Sequence, residues 1–285
     1  MKRLLITGAG GQLAVTLAPI FRSGGWEVIE KTHRELDITK KNEIWNAIQT
    51  HHPECLINTA AYNQVEKAET EEVLCHLVNS VAPRYLATIC KSEEVRLVHY
   101  STDFVFDGLV SRPYEETDTP HPLNVYGQSK WEGEKAVLEI GKNGLLLRTA
   151  GLYGKTVEGH GKPSFLTRLQ QQATQREPIR VVDDLMTNPT CSFDLAKATF
   201  QLVQNGASGL FHAAATGSCT WFEFAKAAFS KLGISVELVP ISSQEYGARA
   251  IRPTFSVLKN SRMEAQGMNF FPSWEEGLRR FLKMG

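Results

Sequence analysis

The first 150 residues alternate short, nearly all-apolar runs with longer segments of helical periodicity. The strand-like runs are, in chain order, RLLITG, WEVIE, ECLINTA, VRLVHYS and GLLLRTA. Because they lack the apolar–polar alternation of a half-exposed strand, we expect helices to cover both faces of the sheet that they form. Helices are the usual crossovers between parallel strands. The pattern therefore predicts an α/β fold with a doubly wound parallel sheet of the Rossmann type.

After Gly154 the segments become shorter and mixed. Helical patterns cover 165–174, 193–204 and the stretch TWFEFAKAAFSKLG, while PIRVVDD, GLFHAAAT and ISVELVPIS are strand-like. We interpret these pieces as a smaller C-terminal α/β lobe over the carboxyl edge of the sheet. The predicted boundaries are 1–154, with parts of 180–215, for the Rossmann domain and mainly 155–285 for the lobe.

Charge and composition argue against several classes of protein. Lys plus Arg (31) equals Asp plus Glu (31), so no basic excess indicates a nucleic-acid partner. No apolar run is long enough to span a bilayer, and the apolar part of MKRLLITGAGG is too short for a signal peptide. The five cysteines are widely spaced without a CxxC pair, which indicates reduced thiols and a cytoplasmic location. The eight histidines form no HxxxH or Cys/His cluster, so we predict no metal site.

A glycine-containing loop, ITGAGGQLA, connects the first predicted strand to the first predicted helix. Gly8, Gly11 and Ala14 have the spacing G-x-x-G-x-x-[G/A], in which backbone N–H groups can approach a pyrophosphate at a helix N-terminus. A lone glycine motif is weak, but the strand before it and the helix after it supply the required context. The loop therefore predicts dinucleotide binding, and a tight turn without a ligand is the alternative.

The end of the second predicted strand bears on cofactor choice. Glu30 could bind a ribose 2′-hydroxyl, or it could point into the helix layer. Lys31, His33 and Arg34 could meet a 2′-phosphate, or they could be surface charges. The balance favours NADPH, with NADH as the alternative.

The segment LDIT follows a few residues later. Asp37 and Ile38 are placed where they could hold the edge and the face of an adenine ring. The alternative is a helix cap formed by Asp37 or Thr39.

Candidate reacting groups follow the fourth predicted strand. Ser101, Thr102 and Asp103 lie at its carboxyl end, where doubly wound sheets bind ligands. Tyr126 and Lys130 follow, one turn apart on a predicted helix. We expect the lysine ammonium to lower the pKa of the phenol, and Thr102 to hold a substrate oxygen on which charge develops. The Y-x-x-x-K pair alone is weak, and its combination with the glycine loop and Thr102 makes proton transfer the favoured interpretation.

At this point the sequence resembles the extended short-chain dehydrogenase/reductases, and among them the dTDP-4-dehydrorhamnose reductase family. The motifs that carry the resemblance are ITGAGGQLA, INTAAYNQVEKAE, STDFVFDG, YGQSKWEGE, RTAGLYG, VVDDLMTNPT, TGSCTWFEFA and RPTFSVLKNSR, which extend over nearly the whole chain. The resemblance implies reduction of the C4 ketone of dTDP-4-dehydro-L-rhamnose, or a close nucleotide-deoxysugar, by NADPH or NADH. The product, dTDP-L-rhamnose, would serve surface or spore-coat polysaccharide.

The resemblance also implies roles for particular residues. The matching positions are Thr102, Tyr126 and Lys130 for catalysis, Gly11, Gln12 and Leu13 for the phosphate loop, Asp37 and Ile38 for the adenine pocket, Ala60, Ala61 and Tyr62 beside the cofactor, and Thr102 and Asp103 for substrate contact. We expect Lys130 to bind the nicotinamide ribose as well. Asn79 fits a position that supports the site, and Arg252 is a candidate phosphate contact whose alternative is a surface ion pair.

The chain departs from the family pattern at several positions. Gly151 stands where members usually carry a tryptophan that contacts the nucleotide-sugar. The glycine would remove a stacking contact that contributes about 1–3 kcal/mol of binding free energy. Leu185 and Thr187 replace a glutamine and a glycine, and Ala14 ends the glycine loop. Of these, a methyl group at position 14 is expected to be harmless. The departures leave the identity of the sugar open.

Two other functions could use the same fold and similar motifs. A dinucleotide-binding regulatory subunit, resembling that of methionine adenosyltransferase, would share the fold and similar motifs, but the intact Thr102, Tyr126 and Lys130 favour catalysis. A dehydratase would want an acid–base pair after the threonine, whereas Thr102 is followed by Asp103 and Phe104.

Oligomer state and metal requirement are linked in this family, because some members form metal-bridged dimers through an acidic residue after the glycine loop. Here Ala14, Val15 and Thr16 offer no carboxylate, so Mg²⁺ has no support in the sequence. A homodimer stays open.

Overall fold

Six parallel strands form the central sheet of the computed structural model, which describes residues 1–157, 163–268 and 270–284. The strands of the chain are β1 (Lys2–Thr7), β2 (Trp26–Lys31), β3 (Cys55–Asn58), β4 (Arg96–Thr102), β5 (Gly144–Thr149), β6 (Ile179–Val182), β7 (Met186–Thr187), β8 (Gly209–His212), β9 (Cys219–Thr220) and β10 (Leu238–Ile241). The order in the main sheet is β2-β1-β3-β4-β5-β8, and all neighbours are parallel. The predicted doubly wound α/β fold is confirmed.

Helices cover both faces of this sheet. They are α1 (Ala14–Ser23), α2 (Lys41–His51), α3 (Val65–Ala68), α4 (Glu72–His76), α5 (Ala82–Ser92), α6 (Val125–Leu138), α7 (Phe165–Ala173), α8 (Ser192–Gln204), α9 (Trp221–Leu232), α10 (Ser243–Tyr246), α11 (Ser261–Ala265) and α12 (Trp274–Lys283). None of the helices in the described part of the chain is long and apolar enough to cross a membrane.

The core divides into one layer on each face of the sheet. Leu4 and Ile6 of β1 pack in a cluster with α1 and α8, whereas Leu5 of the same strand packs with α2 and α5. Successive strand residues point to opposite faces, so a strand buried on both sides must be apolar throughout. This burial explains the all-apolar runs of the sequence.

The helical stretch between β3 and β4 contains an irregular turn. Between α4 and α5 the residues Leu77–Val81 form a π-helical turn, with Asn79 buried inside it. A π-helical turn accommodates one extra residue in a helix and is frequent at functional sites.

Residues after 154 contribute to both parts of the molecule. Strand β8 pairs with β5 in the main sheet, within the 180–215 region that we assigned in part to the Rossmann domain. Two small sheets, β10-β6 and β7-β9, lie in the C-terminal part together with α9 and α12. The division at residue 154 stays a prediction.

Candidate active site

The carboxyl ends of the parallel strands bring the predicted site residues to one edge of the sheet. Thr7 ends β1 opposite Asn58 of β3, and Thr102 ends β4 opposite Thr149 of β5. Ligands of doubly wound sheets bind beyond this edge.

The glycine loop folds tightly against the segment that follows β3. Gly8 has a left-handed backbone (φ +75°), and a Cβ atom there would lie 2.7 Å from the Ala60 nitrogen. Gly10, which the spacing did not single out, is also left-handed (φ +86°). Glycine is required at position 8 because a side chain would collide with backbone and strain the turn.

The loop also presents hydrogen-bond donors at the start of α1. Among the described residues, the backbone N–H groups of Gln12 and Leu13 have no acceptor. The Gln12 side-chain Oε1 is buried without a partner, and the first turn of α1 has no acidic residue. Donors at a helix N-terminus fit the pyrophosphate of a dinucleotide.

Asn79 fixes the segment predicted to run beside the cofactor. Its Oδ1 accepts from the Tyr62 N–H at 2.9 Å, and its Nδ2 donates to the Tyr62 carbonyl at 2.8 Å. Nδ2 also donates to Ser129 Oγ of α6 at 3.1 Å. Of the neighbouring residues, Ala60 is half-buried and Ala61 is exposed. Asn79 thus links this segment to the helix that carries the tyrosine and the lysine.

A buried polar chain that sequence reasoning missed runs across β1, β3 and β4. Thr7 Oγ1 donates to Asn58 Oδ1 at 2.5 Å, and Asn58 Nδ2 lies 3.0 Å from His99 Nδ1. Asn58 Oδ1 also accepts from the Ala60 N–H at 3.2 Å. Burial and the charge of Lys130 hold the pKa of His99 well below its usual range, so its neutral ring accepts from Asn58. The available signal was a polar residue, Asn58, ending an apolar strand.

Charged residues around the end of β2 have different surroundings. Glu30 forms an ion pair with Arg22 of α1, so its carboxylate is already occupied. His33 and Arg34 are exposed. This arrangement leaves the Arg34 guanidinium, and not the Glu30 acid, available for a ribose substituent.

At the predicted adenine pocket, neither Asp37 nor Thr39 is the N-cap of α2, so the helix-cap alternative is not found. Asp37 Oδ1 accepts from the Thr39 N–H at 3.0 Å and from Thr39 Oγ1 at 2.7 Å, while Lys40 is the N-cap of α2 without a side-chain cap bond. Ile38 is only 3% exposed and packs in the core, so its side chain offers little surface to an adenine ring.

Tyr126, Lys130 and Thr102 are brought together where α6 begins beside the end of β4. Tyr126 lies in the first turn of α6, partly exposed, with its ring edge-on to Phe104. Thr102 Oγ1 donates to Asp103 Oδ1 at 3.0 Å and accepts from the Phe104 N–H at 3.2 Å. The inward-facing orientation of Lys130 is clear, since it is only 3% exposed.

The predicted pKa shift of Tyr126 is wrong in direction. Burial raises the pKa of the phenol above its ordinary value, and hydrogen bonding with Thr102 opposes that rise, while the Asp103 charge adds to it. Lys130 Nζ instead donates to the Tyr100 carbonyl at 2.5 Å. The phenol is therefore held in its protonated form.

Lys130 itself is strongly affected by its surroundings. Burial lowers the pKa of its ammonium to about 8, against the opposing charge of Glu134. Glu134 is itself bound by Arg148 through two hydrogen bonds of 2.9 and 2.7 Å.

Asp103, predicted to contact substrate, is buried and bound within the protein. Its Oδ2 accepts from Ser256 Oγ at 2.5 Å and lies 3.5 Å from Thr187 Oγ1. Burial raises the pKa of Asp103 to about 6, although the hydrogen bonds from Ser256 and Thr102 oppose the rise. Asp103 ties the end of β4 to the C-terminal lobe.

Arg252 makes the ion pair that was the alternative to a phosphate contact. Its guanidinium binds Glu66, which also accepts from the Arg249 N–H at 2.7 Å. A phosphate contact would require Arg252 to share or leave Glu66.

The departures from the family pattern occupy distinct environments. Gly151 is left-handed (φ +52°), and a Cβ atom there would lie 3.0 Å from Pro189 Cα and 3.3 Å from Trp221 Cη2. Leu185 is buried, and Thr187 faces Asp103. Trp221, which the sequence analysis did not single out, is thus an aromatic side chain that lies beside position 151.

No group of three or more His, Cys, Asp or Glu side chains that could hold a metal ion occurs among the described residues. Thr16, in the helix after the glycine loop, bonds to Ser192 Oγ at 3.1 Å.

Comparison with known proteins gives full-length matches. A dTDP-4-keto-6-deoxy-D-glucose reductase of Streptomyces niveus is 36% identical, over 97% of this chain and 95% of the relative. The spore coat polysaccharide biosynthesis protein SpsK of Bacillus subtilis is 32% identical, over 99% and 98%. The crystal structure of dTDP-4-dehydrorhamnose reductase from Bacillus anthracis, in complex with NADP, is 36% identical with a TM-score of 0.95 and covers 100% of both chains. The sequence model of the RmlD substrate binding domain family matches residues 1–285, and the chain belongs to that family.

Proposed function

We propose that this protein uses NADPH, with NADH as the alternative, to reduce the C4 ketone of dTDP-4-dehydro-L-rhamnose or a close dTDP-linked deoxysugar. The observation that carries the proposal is the convergence of Thr102, Tyr126 and Lys130 at the edge where the glycine loop presents unpaired N–H groups. The names of the full-length relatives support the same reaction and a role in surface or spore-coat polysaccharide.

The residues available for the dinucleotide are distributed along the sheet edge. Gln12 and Leu13 would hold the pyrophosphate through their N–H groups, and Lys130 the nicotinamide ribose. Arg34 is an exposed cation that would meet the 2′-phosphate, and His33 is exposed next to it in the sequence, which favours NADPH. The bound cofactor supplies the hydride that is added to the carbonyl carbon.

The chain's own residues would supply the proton and stabilise the oxygen. Tyr126 donates its phenolic proton to the oxygen that becomes the C4 hydroxyl, a role that suits a phenol whose raised pKa keeps it protonated. Thr102 would donate a hydrogen bond to the same oxygen, in place of its bond to Asp103. One hydride and one proton are added, and the tyrosinate is reprotonated from solvent.

The test is NADPH consumption by the purified protein with two substrates, dTDP-4-dehydro-L-rhamnose and dTDP-4-dehydro-6-deoxy-D-glucose. Turnover of either substrate, with a 4-hydroxy product, supports the reductase. If neither is reduced and the protein co-purifies with a larger enzyme whose activity it changes, the regulatory alternative replaces this proposal.

The proposed setting is the cytoplasm, with a nucleotide-sugar as the partner and no role for nucleic acid or membrane. All five cysteines are buried and free, as expected in a reducing compartment. A homodimer would be recognised by light scattering of the purified protein at two concentrations.

A further inference from the structure

Trp221 has a fixed position at the start of α9. The preceding Thr220 caps this helix, with its Oγ1 accepting from the Glu223 N–H at 3.1 Å and its N–H donating to Glu223 Oε2 at 2.8 Å. Thr220 Oγ1 also donates to Asp183 Oδ1 at 2.5 Å. These reciprocal bonds hold the first helical residue in one place.

The indole ring is supported by aromatic neighbours and is not fully enclosed. Its ring centroid lies 4.7 Å from that of Phe165 and 6.2 Å from that of Phe224. The side chain is only partly buried. A rigid, partly exposed aromatic ring is the kind of group that binds ligands.

The ring lies beside the edge of the sheet where the catalytic residues gather. Its Cη2 atom is 3.3 Å from where a Gly151 Cβ would be, and Gly151 is two residues beyond Thr149, the strand partner of Thr102. Strand β9 leads into Trp221 and pairs with β7, whose Thr187 faces Asp103. Trp221 is therefore connected to the end of β4 through the β7–β9 pair.

Gly151 and Trp221 fit each other. Position 151 has a left-handed backbone, and a side chain there would meet both the Pro189 backbone and the indole. A Cβ atom at position 151 would lie 3.3 Å from the indole Cη2 atom, so the two positions are in close contact.

We propose that Trp221 is a specificity-determining residue that contacts the sugar of the nucleotide-sugar substrate. This inference rests on the proposed function. The C–H groups and the methyl group of a 6-deoxysugar form an apolar face that can lie on the indole, and the indole N–H can donate to a sugar or phosphate oxygen. The contact orients the ketone toward Tyr126 and Thr102 without taking part in the chemistry.

The kinetic test compares Trp221→Leu, which keeps an apolar side chain, with Trp221→Phe, which keeps an aromatic face. We expect Trp221→Leu to raise KM for the dTDP-keto sugar about tenfold to a hundredfold, as for loss of one aromatic stacking contact. Trp221→Phe should recover most of this loss, and KM for NADPH should stay within about threefold of wild type in both variants.

The matched control is Trp274→Leu, in the same lobe but buried in its core. It should lower Tm and leave KM for the sugar nucleotide nearly unchanged. An unchanged KM in Trp221→Leu, an equal rise in Trp274→Leu, or a rise confined to NADPH would overturn the assignment. Because wild-type turnover is measured alongside, failure of the proposed reaction would be recognised separately.

A binding measurement covers the case in which Trp221→Leu does not fold. The probe is dTDP-L-rhamnose, titrated into NADP⁺-saturated protein while tryptophan fluorescence is recorded. We expect the ligand-induced change in the wild type to be retained in Trp45→Phe, whose indole is 48% exposed on α2, and lost in Trp221→Phe. Equal changes in the two variants would contradict the proposal.

Discussion

The cofactor side and the substrate side of the candidate site are built in different ways. On the cofactor side, the proposed contacts are consecutive N–H groups of one loop and the start of one helix, at Gln12 and Leu13. On the substrate side, bonds join residues far apart in sequence, such as Asp103 to Ser256 across 153 positions and Glu66 to Arg252 across 186. Backbone geometry dominates the first side and side-chain pairing the second.

This difference has a functional meaning. A site made of backbone N–H groups binds a phosphate through the conformation of the loop. Side-chain substitutions there should therefore change the affinity for the cofactor mainly when they alter the turn. In a site made of long-range side-chain pairs, replacing a single residue can change which sugar is bound. Substitutions on the cofactor side should therefore change the binding of NADPH. Substitutions on the substrate side should change KM for the sugar nucleotide.

The largest expected effect is at the junction of the two sides. Tyr126→Phe should lower the single-turnover rate of NADPH oxidation about 10³-fold, because it removes the proton donor. The affinity for NADPH should stay within about threefold of wild type. Chemistry near the wild-type rate would remove Tyr126 from this role.

A backbone test of the cofactor side compares Gly8→Ala with Gly25→Ala. Both glycines are left-handed, but a Cβ at Gly8 would be 2.7 Å from the Ala60 nitrogen, whereas nothing lies within 4 Å at Gly25. Gly25→Ala should cost about 1–2 kcal/mol of unfolding free energy, and Gly8→Ala about 2 kcal/mol more with weaker NADPH binding. Denaturant unfolding and NADPH titration measure both. Equal costs would mean that the loop can relax away from Ala60.

On the substrate side, Arg252→Met tests the candidate phosphate contact. If Arg252 exchanges Glu66 for a phosphate, KM for the sugar nucleotide should rise about tenfold to a hundredfold, since a charge-assisted bond is lost. Glu66→Gln is the matched control: it breaks the same ion pair and leaves the guanidinium in place, so KM should not rise. Similar KM values for Arg252→Met and wild type would rule out the phosphate contact. The role of Arg252 would then be limited to its ion pair with Glu66.

The smallest effect expected is a pH dependence on the cofactor side. Lys130 loses its charge as pH rises through its pKa of about 8, so kcat/KM for NADPH should fall by up to about tenfold between about pH 7 and pH 9. Lys130→Arg should have a lower kcat/KM but a flatter profile, because guanidinium stays charged. A wild-type profile that is flat over this range would contradict a role for the Lys130 charge.

The predictability of the molecule follows the same division. The sheet, its helices and the convergence of Thr102, Tyr126 and Lys130 could be predicted because motifs at strand ends must meet at one edge. The contacts of Asp103 with Ser256 and of Trp221 with Gly151 could not, since they depend on how the lobe packs.

The direction of the pKa shift of Tyr126 was also predicted wrongly from the sequence. Sequence spacing showed that Lys130 would be one turn from Tyr126, but burial raises the pKa of the phenol, and the Lys130 ammonium donates to the Tyr100 carbonyl. The side chains of Asp37 and Ile38 make a turn bond and a core contact that the sequence did not predict, and their role at an adenine ring stays a prediction.

The π-helical turn at Leu77–Val81 has a consequence for how chain length can vary in this molecule. One helical residue corresponds to a rotation of about 100°, so deleting any single residue of the turn would swing Asn79 away from Tyr62 or turn α5 out of the core. Gly133 of α6 also packs directly on the Asn79 carbonyl, which leaves no slack for a shifted register. Insertions and deletions are thus tolerable in the loops before α4 and after α5. The extra residue of the π-helical turn between these two helices has to be kept.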